Sequence, residues 1–278
     1  MRRFLLILLA VLSAASLSAQ GKIRELLMAK APEGFVEQSW EVDGVKRTAL
    51  VRVPAGATGP MPLVFCWHGH GGRSTHSASR WGYGEVDKTS LLVFPQGLPT
   101  VSPLVDKEGR MPGWQTSVTS EGGRDLKFFD VMLADLKKKH AVDGRRIYSM
   151  GHSNGAAFSY LLWQARPDIL AAIGSVAGSL RPDGKPTTPL PVIHVAGKKD
   201  PLVKFAWQQA TFAAVRRFNG CAEEGQPWAK EGVLDATIYA SSKGAPLVTA
   251  IHEGGHEYAK GSTELIVRFF KENPKSAK

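Results

Sequence analysis

The chain has 278 residues, a length that suits one large domain. Its formal net charge of +10 comes from 35 basic and 25 acidic residues, but the basic residues are spread along the sequence, so we expect no nucleic-acid partner. The densest basic cluster, residues 137–139, closes a predicted helix, where cations suit the helix dipole. The only two cysteines, Cys66 and Cys221, exclude a disulfide-based scaffold and leave a bridge between them open.

The first residues have the three-part pattern of a secretory signal peptide. Arg2 and Arg3 precede an apolar run over residues 4–12, and small residues follow as far as Ala19. The apolar run is too short to span a bilayer, and no later segment approaches that length. We therefore predict a signal peptide over residues 1–19 and a single catalytic domain over residues 20–278. We expect a secreted or periplasmic monomer without a membrane span.

The remaining sequence alternates between strand and helix patterns. Asp43 and Gly44 separate two strand-like runs, 40–42 and 45–53, which predicts an antiparallel hairpin. The order that follows predicts an α/β protein whose central sheet is mostly parallel, with helices on both faces. The later predicted strands are 63–67, 91–94, 146–150, 172–176, 191–196, 236–239 and 247–251, and the predicted helices are 125–140, 154–165, 206–218 and 262–272.

Residues 97–123 interrupt this alternation with glycines, prolines and serines around Trp114. A connection of this length inside a compact domain is uncommon unless it has a function. We predict that it faces a substrate, the alternative being a mobile surface excursion.

The sequence Gly151-His152-Ser153-Asn154-Gly155 lies between a predicted strand and a predicted helix. A serine at such a junction is held in a sharp turn, and the residues two before and two after it must be small to let the backbones pass. Its position also puts it at a helix N-terminus, where free N–H groups can face a developing negative charge. Ser153 is therefore predicted to be a nucleophile.

A serine nucleophile needs a histidine to take its proton and a carboxylate to orient that histidine. Asp200 follows the predicted strand 191–196, and His256 follows the strand 247–251 in a glycine-rich turn. We predict that these two residues complete a catalytic triad with Ser153. Asp235 and Asp183 are the alternatives to Asp200, although neither follows a strand so directly.

Acyl transfer also needs N–H donors for the oxyanion. The N–H after the nucleophile belongs to Asn154, and a second donor comes from the loop after an early strand. That loop is residues 68–72, His-Gly-His-Gly-Gly, and we predict the N–H of His70 as the second donor. His68 is predicted to brace the loop through hydrogen bonds.

Residues 63–90 and 125–178 resemble the secreted esterase family that includes polyhydroxybutyrate depolymerase-like proteins and feruloyl esterases. The resemblance implies an α/β-hydrolase fold, a Ser-Asp-His triad and hydrolysis of carboxylic esters with no metal and no cofactor. Members of this family often carry a tryptophan where Tyr258 stands, and many pair a cysteine resembling Cys221 with a later one that this chain lacks. The matching motifs are His68-Gly69-His70-Gly71-Gly72, Asp143-Gly144-Arg145-Arg146-Ile147-Tyr148, Gly151-His152-Ser153-Asn154-Gly155, Ser175-Val176-Ala177-Gly178, Ala196-Gly197-Lys198-Lys199-Asp200 and Gly254-Gly255-His256.

The expected function is that of a secreted serine esterase that acts through an acyl-enzyme. Its expected substrates are feruloyl or acetyl esters of plant polysaccharide, or polyhydroxyalkanoate-type esters, either polymeric or small. Trp114 and Tyr258 are the predicted substrate-binding residues, with Trp163 and Trp207 as further aromatic candidates, because aromatic rings can stack on a phenolic acid or a sugar.

Three alternative functions remain at this stage. His252-Glu253-Gly254-Gly255-His256 fits the His-Glu-x-x-His motif of zinc metallopeptidases, but that motif needs a helix, and two glycines stand in its middle. A serine peptidase on the same fold would use the same acyl chemistry. A noncatalytic binding protein would not need a serine, an aspartate and a histidine in this order.

Overall fold

The computed structural model describes residues 30–181 and 184–276. The predicted signal peptide and Asp183 lie outside the described residues. Among the described residues, no helix is long and apolar enough to cross a membrane.

The helices and strands follow the predicted alternation closely. The helices are α1 (Ser74–Arg80), α2 (Tyr83–Val86), α3 (Arg124–Lys139), α4 (Asn154–Ala165), α5 (Phe205–Asn219) and α6 (Ser262–Glu272). The strands are β1 (Val36–Val42), β2 (Val45–Arg52), β3 (Met61–Trp67), β4 (Leu91–Pro95), β5 (Leu98–Pro99), β6 (Pro112–Gly113), β7 (Val142–His152), β8 (Ala172–Val176), β9 (Val192–Gly197), β10 (Gln226–Glu231), β11 (Leu234–Tyr239) and β12 (Leu247–His252).

Within the described residues, ten strands form one sheet in the order β1-β2-β4-β3-β7-β8-β9-β12-β11-β10. The six central strands, from β4 to β12, are parallel. The predicted hairpin of β1 and β2 forms one antiparallel edge, and β11 with β10 forms the other. The prediction of a mostly parallel sheet with an antiparallel N-terminal hairpin is therefore confirmed.

Successive side chains of a central strand point to opposite faces of the sheet, so each central strand contributes to two hydrophobic cores. In β3, Leu63, Phe65 and Trp67 pack with α3, α4 and α5, whereas Val64 and Cys66 pack with α1 and α6. A strand that is buried on both faces reads as a continuous apolar run, as β3 does. Helices therefore cover both faces of the sheet, as the sequence predicted.

The two cysteines are free. Cys66 is buried in β3, and Cys221 follows α5 and packs against the core on the opposite face of the sheet.

The parallel strands bring the predicted reactive residues to one edge of the sheet. Ser153 directly follows β7, Asp200 lies three residues beyond β9, and His256 lies four residues beyond β12. The carboxyl ends of parallel strands all point in the same direction, and this edge is where open α/β sheets place their sites. The loop at residues 68–72 joins them, because β3 pairs with β7.

Candidate active site

Ser153 lies on a sharp turn between β7 and α4. Its backbone has φ 55° and ψ −119°, an unusual conformation for a residue other than glycine. Its N–H donates to the carbonyl of Val176 at 2.8 Å, which ties the turn to β8. A Cβ atom at Gly155 would collide with the carbonyl oxygen of Trp67, and one at Gly151 would collide with the backbone of Gly155. The two glycines are thus required by close backbone approach.

Ser153, His256 and Asp200 form a chain of two hydrogen bonds. The Oγ of Ser153 lies 2.8 Å from the Nε2 of His256, and the Nδ1 of His256 lies 2.8 Å from the Oδ2 of Asp200. The Asp200 side chain is fully buried and His256 is 13% exposed, so the histidine is reachable from the solvent side. This is the geometry in which a histidine accepts a serine proton while a carboxylate fixes its other nitrogen.

Asp200 is held by backbone donors as well. Its Oδ1 accepts hydrogen bonds from the N–H groups of Leu202 at 2.8 Å and Val203 at 2.9 Å. Of the two alternatives, Asp235 lies on β11 with an exposed side chain paired to Lys230 at 3.1 Å, and Asp183 lies outside the described residues.

A line of buried polar side chains leads from Asp200 into the protein. The amide nitrogen of Gln208 donates to the Oδ2 of Asp200 at 3.3 Å and to the carbonyl of Val203 at 2.8 Å. Its amide oxygen therefore faces the Nε2 of His194, at 3.0 Å, and must accept a hydrogen bond from the N–H at that nitrogen. The other nitrogen of His194, Nδ1, then accepts from the hydroxyl of Tyr160 at 2.8 Å. Every donor in this line points toward Asp200.

Residues 68–72 lie against the serine. A Cβ atom at Gly69 would be 3.4 Å from the Cβ of Ser153, so this loop passes directly beside the nucleophile. His70 and Asn154 both line the same cleft as Ser153. Because Asn154 is the first residue of α4, its N–H has no carbonyl to bond within the helix.

Residues 97–123 hold this glycine-rich loop in place. The N–H of Gly71 donates to the carbonyl of Pro112 at 2.7 Å, and the indole of Trp114 donates to the carbonyl of His68 at 2.8 Å. The Nε2 of His70 lies 3.1 Å from the Oδ2 of Asp106. These contacts connect the loop beside the serine to the long connection at three separate points.

His68 braces the loop as predicted. It accepts a hydrogen bond from the N–H of Gly97 on Nε2, at 3.0 Å, so its Nδ1 carries the proton and donates to the carbonyl of Gly69 at 2.7 Å. His68 and His194 are both buried, and burial lowers the pKa of each to about 4. Both therefore stay neutral in the folded protein at neutral pH.

These neutral histidines make stability depend on pH. In the unfolded chain both titrate near their ordinary pKa of about 6.5, so below that pH the unfolded state binds protons that the folded state does not. We expect the free energy of unfolding to fall as the pH decreases from about 6.5 to about 4, by up to about 1.4 kcal/mol per pH unit for each histidine. Urea unfolding across this range measures the slope, and a constant free energy would contradict it.

Trp114, predicted to bind substrate, is buried and does not line the cleft. Its ring centroid lies 4.9 Å from that of Trp67. Its backbone is hydrogen-bonded to the side chain of Asn154: the N–H of Trp114 donates to the Oδ1 of Asn154 at 2.7 Å, and the Nδ2 of Asn154 donates to the carbonyl of Trp114 at 3.1 Å. Trp114 thus packs beneath the site and fixes the first residue of α4.

Tyr258 also lies away from the cleft. Its ring stacks on that of Trp81 with centroids 4.8 Å apart, and its hydroxyl lies 2.8 Å from that of Thr263. The tyrosine is half-buried and joins α6 to the segment between α1 and α2. The structure therefore assigns it a packing position.

A large cleft opens beside Ser153, with a volume of ≈ 1330 Å³. The long connection lines one side of it, as predicted for residues 97–123, through residues 101–105 and Met111. The opposite side is α5 and the turn before it, a wall of which the sequence indicated only Trp207. Apolar side chains stand exposed around the opening, including Leu104 at 66%, Leu202 at 40% and Trp207 at 45% exposure.

The zinc motif is not on a helix. His252 ends β12, and its Nδ1 accepts the N–H of Gly254 at 3.1 Å. The Oε1 of Glu253 lies 2.6 Å from the Nζ of Lys198, and the Nδ1 of His256 faces the carboxylate of Asp200. Among the described residues, no group of three or more histidine, cysteine or carboxylate side chains is arranged to hold a metal ion.

No known protein-family profile matches the chain. The chain is 26% identical over 252 residues to a protein named feruloyl esterase B from Piromyces equi, covering 81% of this chain and 45% of that protein. It is 25% identical over 227 residues to feruloyl esterase D from Neurospora crassa, covering 77% of this chain and 75% of that protein. This chain thus spans less than half the length of the Piromyces protein.

Solved structures give the same fold. An acetyl xylan esterase from Aspergillus awamori matches with a TM-score of 0.59 at 16% identity, covering 85% of this chain and 99% of that one. A ferulic acid esterase matches with a TM-score of 0.57 at 14% identity, covering 86% of this chain and 97% of that one. The α/β-hydrolase fold is therefore confirmed, and the relatives confirm the resemblance to esterases of this fold.

Proposed function

We propose that this protein is a serine carboxylic-ester hydrolase. The observation that carries the proposal is the hydrogen-bonded chain from Ser153 through His256 to Asp200, which opens into the cleft. The curated relatives named as feruloyl esterases support an ester as the substrate.

In the proposed mechanism, His256 takes the proton of Ser153 as the serine oxygen attacks the ester carbonyl. Asp200 stabilises the imidazolium that forms and keeps the other ring nitrogen protonated. The N–H groups of Asn154 and His70 donate to the oxyanion, each worth about 3 to 4 kcal/mol in serine hydrolases where removal has been measured. His256 then protonates the leaving alcohol, and water attacks the acyl-enzyme with the same histidine as base.

The proposed substrates are feruloyl or acetyl esters of plant polysaccharide, or polyhydroxyalkanoate-type esters. The names of the relatives support the first two classes. The exposed apolar side chains around the cleft suit an apolar acyl group of any of the three. We also propose that residues 1–19 direct the protein out of the cytoplasm.

Purified protein without residues 1–19 tests the activity. We expect hydrolysis of short aliphatic esters, methyl ferulate, acetylated xylan or polyhydroxybutyrate, inactivation by a serine-directed organophosphate and no effect of a chelator. Inactivation by the chelator with indifference to the organophosphate would reject the serine mechanism.

The line of donors behind Asp200 gives a further expectation. Gln208→Leu removes one donor from the carboxylate and leaves His194 without an acceptor, so we expect kcat to fall about tenfold with KM nearly unchanged. Gln208→Glu keeps the size but brings a second carboxylate against Asp200. Because protonation would let that glutamate donate again, its activity relative to the parent protein should rise as the pH falls.

Steady-state kinetics of both variants between about pH 5 and 8 measure these effects, with thermal unfolding to check the fold. A purely structural role for Gln208 predicts equal, pH-independent losses in the two variants, and that result would contradict a positioning role.

A further inference from the structure

One face of α5 runs along the cleft. Trp207, Ala210, Ala214 and Arg217 all line it, and their spacing of three, four and three residues places them on one side of the helix. From Trp207 to Arg217 this face extends about 15 Å, at 1.5 Å per residue. The cleft is therefore long, with small alanine side chains in its middle.

The two ends of this face differ in their distance from the reactive residues. Trp207 is near the start of α5, and the turn that precedes the helix binds Asp200 through Leu202 and Val203. Arg217 is near the end of α5. The Ser153 end of the cleft thus meets the first turns of α5, and Arg217 marks the distant end.

The cleft changes from apolar to basic along this direction. The exposed large apolar side chains that line the cleft are Val101, Leu104, Val105, Met111, Leu202 and Trp207, of which Leu202 and Trp207 lie at the Ser153 end of α5. Four basic residues also line the cleft, and no aspartate or glutamate does so among the residues that the structure describes. The basic residues are Arg181, Lys185, Arg217 and Lys243.

Two of these cations, Arg217 and Lys243, lie at the far end of α5. Lys243 donates to the carbonyl of Phe218 at 2.7 Å, which leaves two of its three ammonium protons for another acceptor. The side chain of Arg217 is exposed and forms no hydrogen bond or ion pair with any residue within 30–181 and 184–276, although its backbone carbonyl accepts the N–H of Gly220.

Arg216 and Arg217 both lie in the last turn of α5, where cations suit the helix dipole, but their side chains differ in their contacts. Arg216 donates to the carbonyls of Ala222 and Glu223 beyond the helix and lies over the ring of Tyr239. Arg216 does not line the cleft, whereas Arg217 does. The two consecutive arginines therefore face different surroundings.

We propose that the distal end of the cleft, at Arg217 and Lys243, binds a carboxylate carried by the substrate. The substrate class is then an ester with an aliphatic chain between the scissile carbonyl and a terminal carboxylate. An aliphatic chain suits the alanine-lined middle, which offers few hydrogen-bonding side chains to a sugar. The proposal rests on the esterase activity proposed above and adds the chemical nature of the far end of the substrate.

Matched esters test this selectivity. Monomethyl esters of adipic, sebacic and dodecanedioic acid carry the carboxylate on the acyl side, and methyl esters of monocarboxylic acids of equal length are their neutral partners. Butyrate esters of ω-hydroxy acids and of n-alkanols provide the same comparison on the alcohol side. We expect kcat/KM to favour the charged ester about threefold to tenfold in one of the two series, only for the longer chains and less at high salt.

Arg217→Gln and Lys243→Gln are each expected to reduce this preference about threefold and to leave turnover of the neutral esters unchanged. Arg216→Gln, with the same loss of charge outside the cleft, should keep the preference. A parent enzyme that shows no preference in either series, or a preference that survives both cleft variants, would overturn the carboxylate site.

Binding separates this proposal from the esterase activity. Dodecanedioate should bind the Ser153→Ala protein in calorimetry, and Arg217→Gln should weaken that binding about threefold. If neutral esters are not hydrolysed at all, the esterase proposal fails, and the binding result alone then decides the carboxylate site. Absence of dodecanedioate binding, or equal binding by the Arg217→Gln protein, would reject it.

Discussion

Replacement of Ser153 by alanine is expected to lower kcat on the preferred ester by about 10⁴- to 10⁶-fold. The alanine has no oxygen to attack the carbonyl, so His256 and Asp200 lose the group on which they act together. The residual rate would come from substrate binding and the oxyanion donors. Kinetics on the best ester of the panel, with organophosphate labelling of the parent protein, measure the loss.

The fold should be unaffected, because the Ser153 side chain makes a single hydrogen bond, to His256, among the described residues. Ser179→Ala is the matched control, since Ser179 lines the same cleft without contacting His256. We expect it to keep nearly full activity. If Ser153→Ala turns over esters at close to the parent rate, Ser153 is not the nucleophile.

Asp200→Asn is expected to lower kcat by about 10⁴-fold, with little change in KM. The Oδ1 of Asp200 accepts two backbone N–H groups, so the asparagine would keep its oxygen there and turn its NH₂ toward His256. An NH₂ facing Nδ1 selects the His256 tautomer with its proton on Nε2. That tautomer donates to Ser153 and cannot accept its proton.

Asp235→Asn provides the control for this substitution. Of the two alternatives to Asp200, Asp235 is the one that lies within the described residues. Its side chain is exposed on β11. We expect unchanged kinetics in this variant. A severe loss in Asp235→Asn together with a mild loss in Asp200→Asn would transfer the acidic role to Asp235.

Local patterns were sufficient to predict the fold. The continuous apolar run of β3 and the Asp43-Gly44 turn each depend on neighbouring residues only, so their structures could be inferred without the tertiary contacts. Strand β10 was missed, because it is a largely polar edge strand that contains Pro227. The short helices α1 and α2 and the two-residue strands β5 and β6 were missed as well, because elements this short have no clear apolar period.

The sequence predicted that Ser153, Asp200 and His256 lie together, as the structure places them, because acyl-transfer chemistry requires these residue types in a fixed order along the chain. The site could not be predicted where packing decides. Whether an aromatic ring is buried depends on segments distant in sequence, such as β3 beneath Trp114 and the Trp81 region beneath Tyr258. Apart from Trp207, the α5 wall was missed for the same reason, because an amphipathic helix does not indicate what lies beside its exposed face.

The long connection over residues 97–123 has two structural roles, and both limit which of its residues can be replaced. One side borders the cleft, and the other holds the glycine-rich loop through Asp106, Pro112 and Trp114. An exchange of this loop to alter substrate range would therefore also disturb the proposed oxyanion donors. We expect engineered or natural variants of this connection to keep Asp106, Pro112 and Trp114 and to vary residues 101–105. The substrate range would then change through residues 101–105 alone, while the loop beside Ser153 stays in place.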